Sequence, residues 1–181
     1  MILQKTKLLL PAPVSGVIQR PRLVDVLTPD YLLHAIVAPA GCGKTTLAVQ
    51  WAIQQGQGVA WLSLDAEDND AARFIRYIVA ALQSVIKDVD IAQKINLNAA
   101  PSTVLINLSN VLIPHLEQPV CLILDNYQVI DTSVIHDILD FFLAHPVPNL
   151  NFVLLSRTDL PLSVARLRAL QQVHEIHVQH L

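Results

Sequence analysis

Residues 32–46 read Leu-Leu-His-Ala-Ile-Val-Ala-Pro-Ala-Gly-Cys-Gly-Lys-Thr-Thr. An apolar run of strand length ends at Ala38, and beyond Gly43 the residues Leu47, Ala48 and Trp51 recur at three and four positions, the period of a helix. A glycine-rich turn between a strand and an amphipathic helix is the context that a phosphate-binding loop requires. Gly41 and Gly43 let successive backbone N–H groups turn inward without a Cβ clash. The helix amino terminus adds a partial positive charge facing the same point. The loop is read as Ala38, Pro39, Ala40, Gly41, Cys42, Gly43, Lys44, Thr45 and Thr46, with Ala38 standing where the strict pattern has a glycine. Lys44 is the point charge for the β and γ phosphates, and the Thr45 hydroxyl is a ligand for Mg²⁺. The implied ligand is a nucleoside triphosphate, ATP or its product ADP, with Mg²⁺.

Further apolar runs of strand length lie at 59–64, 120–124 and 151–155, with a weaker one at 173–178. Helical periodicity separates them, at 43–55, 71–86, 102–115 and 133–144, with Asp70 placed to cap the second of these helices. Unbroken apolar strands alternating with helices predict an α/β fold, a parallel sheet covered by helices on both faces. Residues 88–100 carry little periodicity and read as a connection.

Mg²⁺ in this class of site also needs an aspartate at the carboxyl end of a neighbouring strand, and Val120-Cys121-Leu122-Ile123-Leu124-Asp125 supplies one. The next residue is Asn126. Hydrolases commonly place a second carboxylate there to polarise water, and an amide is a poor general base, so slow turnover or none is expected unless Asp65 or Asp68 orients the water. The chain is at most a slow Mg²⁺-dependent ATPase on this reading. Leu154-Leu155-Ser156-Arg157 places Arg157 as a γ-phosphate sensor if its strand lies between the first and third, the alternative being an ion pair with Asp159. Arg20 and Arg22, upstream of the first strand, are candidates for nucleotide contact.

The 181 residues suffice for one α/β domain. Hydrophobic residues make up 52% and charged residues 15%, but no apolar run approaches the ~18 residues of a membrane span. Net charge of −3 gives no electrostatic footprint for nucleic acid. The amino-terminal apolar stretch is broken by prolines and lacks a small-residue cleavage site, so cytoplasmic residence is expected. Cys42 and Cys121 read as reduced thiols in a loop and a buried strand.

The blocks RPRL (20–23), APAGCGKTTLAVQW (38–51), AWLSLDAEDNDAARFIRYIVAAL (60–82), LILDNYQVI (122–130), IHD (135–137) and VLLSRTDLPLSVARLRA (153–169) together resemble the nucleotide-binding domain of MalT-type regulators. These are ATP-dependent LuxR-type transcriptional activators within the STAND class, and the resemblance runs over residues 7–176. It implies a three-layer P-loop NTPase of the ASCE/AAA-like kind, with a five-stranded parallel sheet in the order 5-1-4-3-2. It divides the chain into an amino-terminal segment, 1–30, packing on the nucleotide site, and a core, 31–181. ADP would hold a resting monomer and ATP a self-associating form, with DNA contacted only through a helix-turn-helix domain absent from these residues, as are the winged-helix and repeat sensor domains. By that comparison the chain reads as an isolated domain or truncated product. Gly43, Lys44, Thr45, Asp125 and Arg157 match family positions, whereas Asn126 replaces the usual second aspartate. A small-molecule kinase and a degenerate NTPase serving as an interaction module are the alternatives; the kinase needs an arginine-rich lid that residues 88–100 do not offer.

Overall fold

A computed structural model describes residues 2–13, 16, 20–56 and 58–180. In chain order the elements are α1 (Pro21–Val24), β1 (Leu33–Val37), α2 (Lys44–Gln55), β2 (Val59–Ser63), α3 (Ala71–Val85), α4 (Ile91–Lys94), α5 (Pro101–Leu112), β3 (Val120–Asp125), α6 (Ser133–Ala144), β4 (Leu150–Ser156), α7 (Ala165–Ala169) and β5 (Val173–His177). The five strands form one sheet in the order β2-β3-β4-β1-β5, all pairings parallel. Counted from the β5 edge this is 5-1-4-3-2, the expected order. It puts β4 between β1 and β3, the condition on which the reading of Arg157 depends.

Alternation along each strand sends side chains to opposite faces. In β3, Leu122 and Leu124 join Phe74, Ile78, Leu108 and Ile138 from α3, α5 and α6 in one core. Cys121 and Ile123 join Leu47, Ala48 and Trp51 of α2 and Val24 of α1 on the other side. Burial on both faces is why the strands read as unbroken apolar runs.

Asp70 caps α3 by accepting from the Arg73 N–H at 2.7 Å, as its position predicts. The third predicted helix starts at Pro101, one residue before Ser102, and ends at Leu112 with a 3-10 turn over Ile113–His115. Proline at a first helical position loses no hydrogen bond there. The stretch 88–100 is not all connection: it contains α4, capped by Asp90, which accepts from Gln93 N–H at 3.2 Å. Four residues are too few to show a period.

Residues 4–8 return to the β2 edge. A 3-10 turn over Lys5–Leu8 packs along β2, and Lys7 is inserted against Asp68, which is fully buried, and Asp65, 3.0 Å away. Gln4 N–H donates to the Tyr77 hydroxyl at 3.0 Å, and the Lys7 ammonium lies 4.6 Å from the Tyr77 ring centre. Among the described residues no helix is long and apolar enough to cross a membrane.

Candidate functional site

The carboxyl ends of β1, β3 and β4 meet the amino terminus of α2, the place where open α/β sheets gather ligands. The turn from Ala38 into α2 is made by Gly41 at φ 81° and Gly43 at φ 85°, a backbone region other residues enter at a cost. Gly43 stands at the N-cap of α2 and, having no side chain, offers none to the first-turn N–H groups. A Cβ on Gly43 would also lie 3.3 Å from both terminal nitrogens of Arg20.

Lys44 is buried, and its ammonium donates to the carbonyls of Ala38 at 2.5 Å and Pro39 at 3.0 Å. Burial lowers its pKa from the ordinary lysine value; the thiol of Cys42 and the carboxylate of Asp125 oppose that, and the Arg157 charge adds to it. Thr45 Oγ1 lies 3.2 Å from each carboxylate oxygen of Asp125. Asp125 is 6% exposed, and burial raises its pKa above the usual carboxylate range despite the Thr45 hydroxyl, the Asn126 N–H, Lys44 and Arg157. A buried carboxylate beside a lysine and a hydroxyl, with raised proton affinity, is one whose charge is under-solvated. A cation would relieve it.

Arg20 reaches the loop: its Nη1 donates to the Cys42 carbonyl at 3.1 Å. Arg22 does not. It is exposed and lies with Val26, His174 and Glu175 at the β5 edge. Arg157 is exposed just past β4 and close enough to Lys44 and Asp125 to perturb both electrostatically. Among the described residues it forms no ion pair with Asp159. Its backbone N–H donates to Gln128 Oε1 at 3.1 Å.

Asn126 follows Asp125 with φ 63°, the left-handed conformation that asparagine tolerates better than most residues. Its backbone N–H turns back to Asp125 Oδ1 at 2.9 Å.

No family model matches the chain. Over 97% of its length it is 38% identical to the HTH-type transcriptional regulator MalT of Serratia proteamaculans strain 568, and as similar to MalT of Yersinia pestis strain Pestoides F. A signal transduction ATPase with numerous domains and a tetratricopeptide repeat sensor, from Pyrococcus horikoshii, superposes with a TM-score of 0.65 at 15% identity, over 92% of this chain and 24% of that one. Cdc6p from Pyrobaculum aerophilum gives 0.61 at 14% identity, over 97% of this chain and 49% of that one. The chain has the fold of a P-loop NTPase domain, and along nearly its whole length its sequence is similar to that of MalT regulators. It covers 20% of the length of those MalT relatives.

Asp65 and Asp68, the alternative candidates for orienting a water, are engaged away from Asn126. Asp68 is held by Lys7, by Arg73 Nε at 3.2 Å and by the Asp65 N–H at 2.9 Å. Asp65 is paired with Lys7; burial acts against its charge, but the Lys7 hydrogen bond and charge outweigh it and hold the carboxyl below its usual range. Gln128 was not among the sequence candidates, yet it links two of them: its Oε1 accepts from Arg157 N–H, and its Nε2 donates to Asn126 Oδ1 at 3.4 Å. A lone glutamine in a 3-10 turn, at Tyr127–Val129, carries no sequence signal of that role.

Proposed function

We propose that this MalT-type domain binds ATP or ADP with Mg²⁺ and serves as the nucleotide-reading switch of a signal-responsive transcriptional regulator, hydrolysing ATP slowly or not at all. The observation that carries the reading is the convergence of Lys44, Thr45 and Asp125 on the uncapped start of α2, with an amide at position 126.

The residues fit the group they would hold. Mg²⁺ is normally bound through one or two carboxylates together with phosphate oxygens, and among the described residues no cluster of three histidine, cysteine or carboxylate side chains offers an all-protein cage. Asp125 and the Thr45 hydroxyl are the two protein ligands in that reading. Bound there, the ion would neutralise phosphate charge. Lys44 would exchange the Ala38 and Pro39 carbonyls for phosphate oxygens, a stronger acceptor for a buried ammonium. The backbone N–H groups of Gly41 to Thr46 would cradle the same oxygens. Arg20 steadies the loop from outside through Cys42, and Arg157 reads the γ-phosphate from the β4 side. Arg20 is thus the part of segment 1–30 that we assign to the nucleotide site.

Asn126 has no group able to take a proton from water at neutral pH, so the bound triphosphate would persist. Persistence suits a switch whose states are distinguished by which nucleotide is held. Self-association in the ATP state is part of this reading; DNA contact would fall to other domains of a longer protein, since a chain of net charge −3 has no basic footprint. Titration calorimetry with ATP and with ADP, each with and without Mg²⁺, tests the core of it. Micromolar or tighter binding that depends on Mg²⁺ is expected, and absence of heat with both nucleotides, from folded protein, would overturn it.

A further inference from the structure

One side chain ties the turn that leaves β3 to the end of β4. Gln128 is half-buried in the 3-10 turn Tyr127–Val129, and the two ends of its amide go to different elements. Its Oε1 accepts from the Arg157 N–H at 3.1 Å, just past β4, and its Nε2 donates to Asn126 Oδ1 at 3.4 Å. A backbone N–H can only donate, so the end of Gln128 facing Arg157 is its oxygen and the end facing Asn126 is its NH₂. Asn126 must meet that NH₂ with its own oxygen. The two Nδ2–H donors of Asn126 are then left over, and among the described residues no hydrogen bond engages them.

The turn does not need the Gln128 amide to close. Its own bonds run from Val129 N–H to the Asn126 carbonyl and from Ile130 N–H to the Tyr127 carbonyl, each at 3.1 Å. On its far side Asn69 holds it, Nδ2 donating to the Val129 carbonyl and Oδ1 accepting from the Asp131 N–H, both at 2.9 Å. Gln128 thus projects from a backbone already fixed, and both groups it touches belong to the candidate site. Asn126 is half-buried and gives its backbone N–H to Asp125 Oδ1, the carboxylate beside Thr45. Arg157 is close enough to Lys44 and Asp125 to perturb both.

We propose that Gln128 is a positioning residue for nucleotide discrimination. Phosphate oxygens only accept, so an amide oxygen turned towards a terminal phosphate would repel it, whereas an amide NH₂ would bind it. By engaging Asn126 Oδ1, Gln128 leaves that residue with donors alone, and by engaging the Arg157 backbone it ties those donors to the side chain assigned to the γ-phosphate. ADP has no terminal phosphate and gains from neither. The role rests on the nucleotide reading of Lys44, Thr45 and Asp125.

Calorimetry with Mg²⁺ and either ADP or AMP-PNP, an ATP analogue that resists hydrolysis, reads the effect as a ratio of two affinities. Gln128→Met keeps the length of the side chain and loses both hydrogen bonds. It should weaken AMP-PNP about tenfold, the size of one net hydrogen bond, and change ADP by less than about twofold. Gln128→Glu keeps the acceptor for Arg157 N–H and loses the donor to Asn126, and it should weaken AMP-PNP at least as much; it takes the place of Gln128→Met if that variant shows no cooperative melt. The decisive comparison removes Asn126. Asn126→Gly suits the left-handed backbone there, and in that background the Gln128 change should cost AMP-PNP less than about twofold. Equal losses of both nucleotides on changing Gln128, or an undiminished loss of AMP-PNP in the Asn126→Gly background, would overturn the proposal and leave the nucleotide reading in place. Absence of heat with both nucleotides from the folded, unaltered chain would overturn the two together.

Discussion

Asn126 sits where its side chain decides between holding a triphosphate and cleaving it. Its φ of 63° is open to aspartate as well, so Asn126→Asp changes the chemistry without straining the backbone. A positioned general base is worth roughly 10²–10⁴ in rate. Single-turnover phosphate release from ATP should accordingly rise by about 100-fold or more in Asn126→Asp; a rate equal to that of the unaltered chain would mean that the amide is not what limits hydrolysis. Asp125 supports a second prediction, with a definite sign. Its raised pKa means that the folded protein takes up the proton at a higher pH than a free aspartate would. Acidification should therefore abolish the Mg²⁺-dependent part of ADP affinity while ordinary aspartates are still ionised, and Asp125→Asn should remove that pH dependence. Calorimetry across a pH series checks this, and a Mg²⁺ effect that persists down to the usual aspartate range contradicts it. By the same sign, protonating Asp125 adds to fold stability as pH falls from its raised value towards the ordinary one.

Among elements, the strands were the most legible and the amino-terminal turn the least. A strand buried on both faces shows itself as a local apolar run, and β1 to β5 each fall within a residue or two of the expected bounds. Helices α1, α4 and α7 have only four or five residues, so no period can declare them. Lys5–Leu8 gave no signal because what fixes it is 61 residues away: Lys7 enters the buried pocket of Asp68. The loop residues Lys44 and Thr45 were readable because their neighbours in sequence are their neighbours in space, and Asp125 because its strand announces it. Gln128 and the difference between Arg20 and Arg22 depend on how turns fold, and the sequence is mute there. The Lys7 contact carries its own prediction. Lys7 is 6% exposed and Asp68 fully buried, and removing one partner of a buried pair leaves a charge that water cannot reach. Lys7→Ala should cost about 3 kcal/mol in urea unfolding, the low end for such pairs because Arg73 remains on Asp68. Asp65, whose side chain is 48% exposed, should cost less than about 1 kcal/mol as Asp65→Asn. Similar losses for the two variants would mean that Lys7 acts through general packing and not through the buried charge.

At the scale of the molecule, the sheet separates two ends with different chemistry: strand carboxyl ends with charge and an uncapped helix start, and strand amino ends with a cavity of mixed polar and apolar lining. Helix α2 spans both and buries Leu47, Ala48 and Trp51 against β1, β3 and β4, so whatever holds its first turn also holds one whole face of the core. A nucleotide gripping that turn is thus linked to global unfolding, since the unfolded chain has no loop to offer. A ligand at 100 times its dissociation constant stabilises by about 2.7 kcal/mol, and for a domain of this size each kcal/mol moves the midpoint by roughly 2–4 °C. ADP with Mg²⁺ at such a concentration should raise the melting temperature of the unaltered chain by roughly 5–10 °C. Lys44→Ala removes a buried ammonium that the apo loop holds only with neutral carbonyls, so it should melt near the parent temperature without nucleotide. With ADP it should show almost no rise, because losing a charge-assisted contact of about 3 kcal/mol weakens binding by roughly 100-fold. A full ADP-dependent rise in Lys44→Ala would place the nucleotide somewhere other than the loop between β1 and α2.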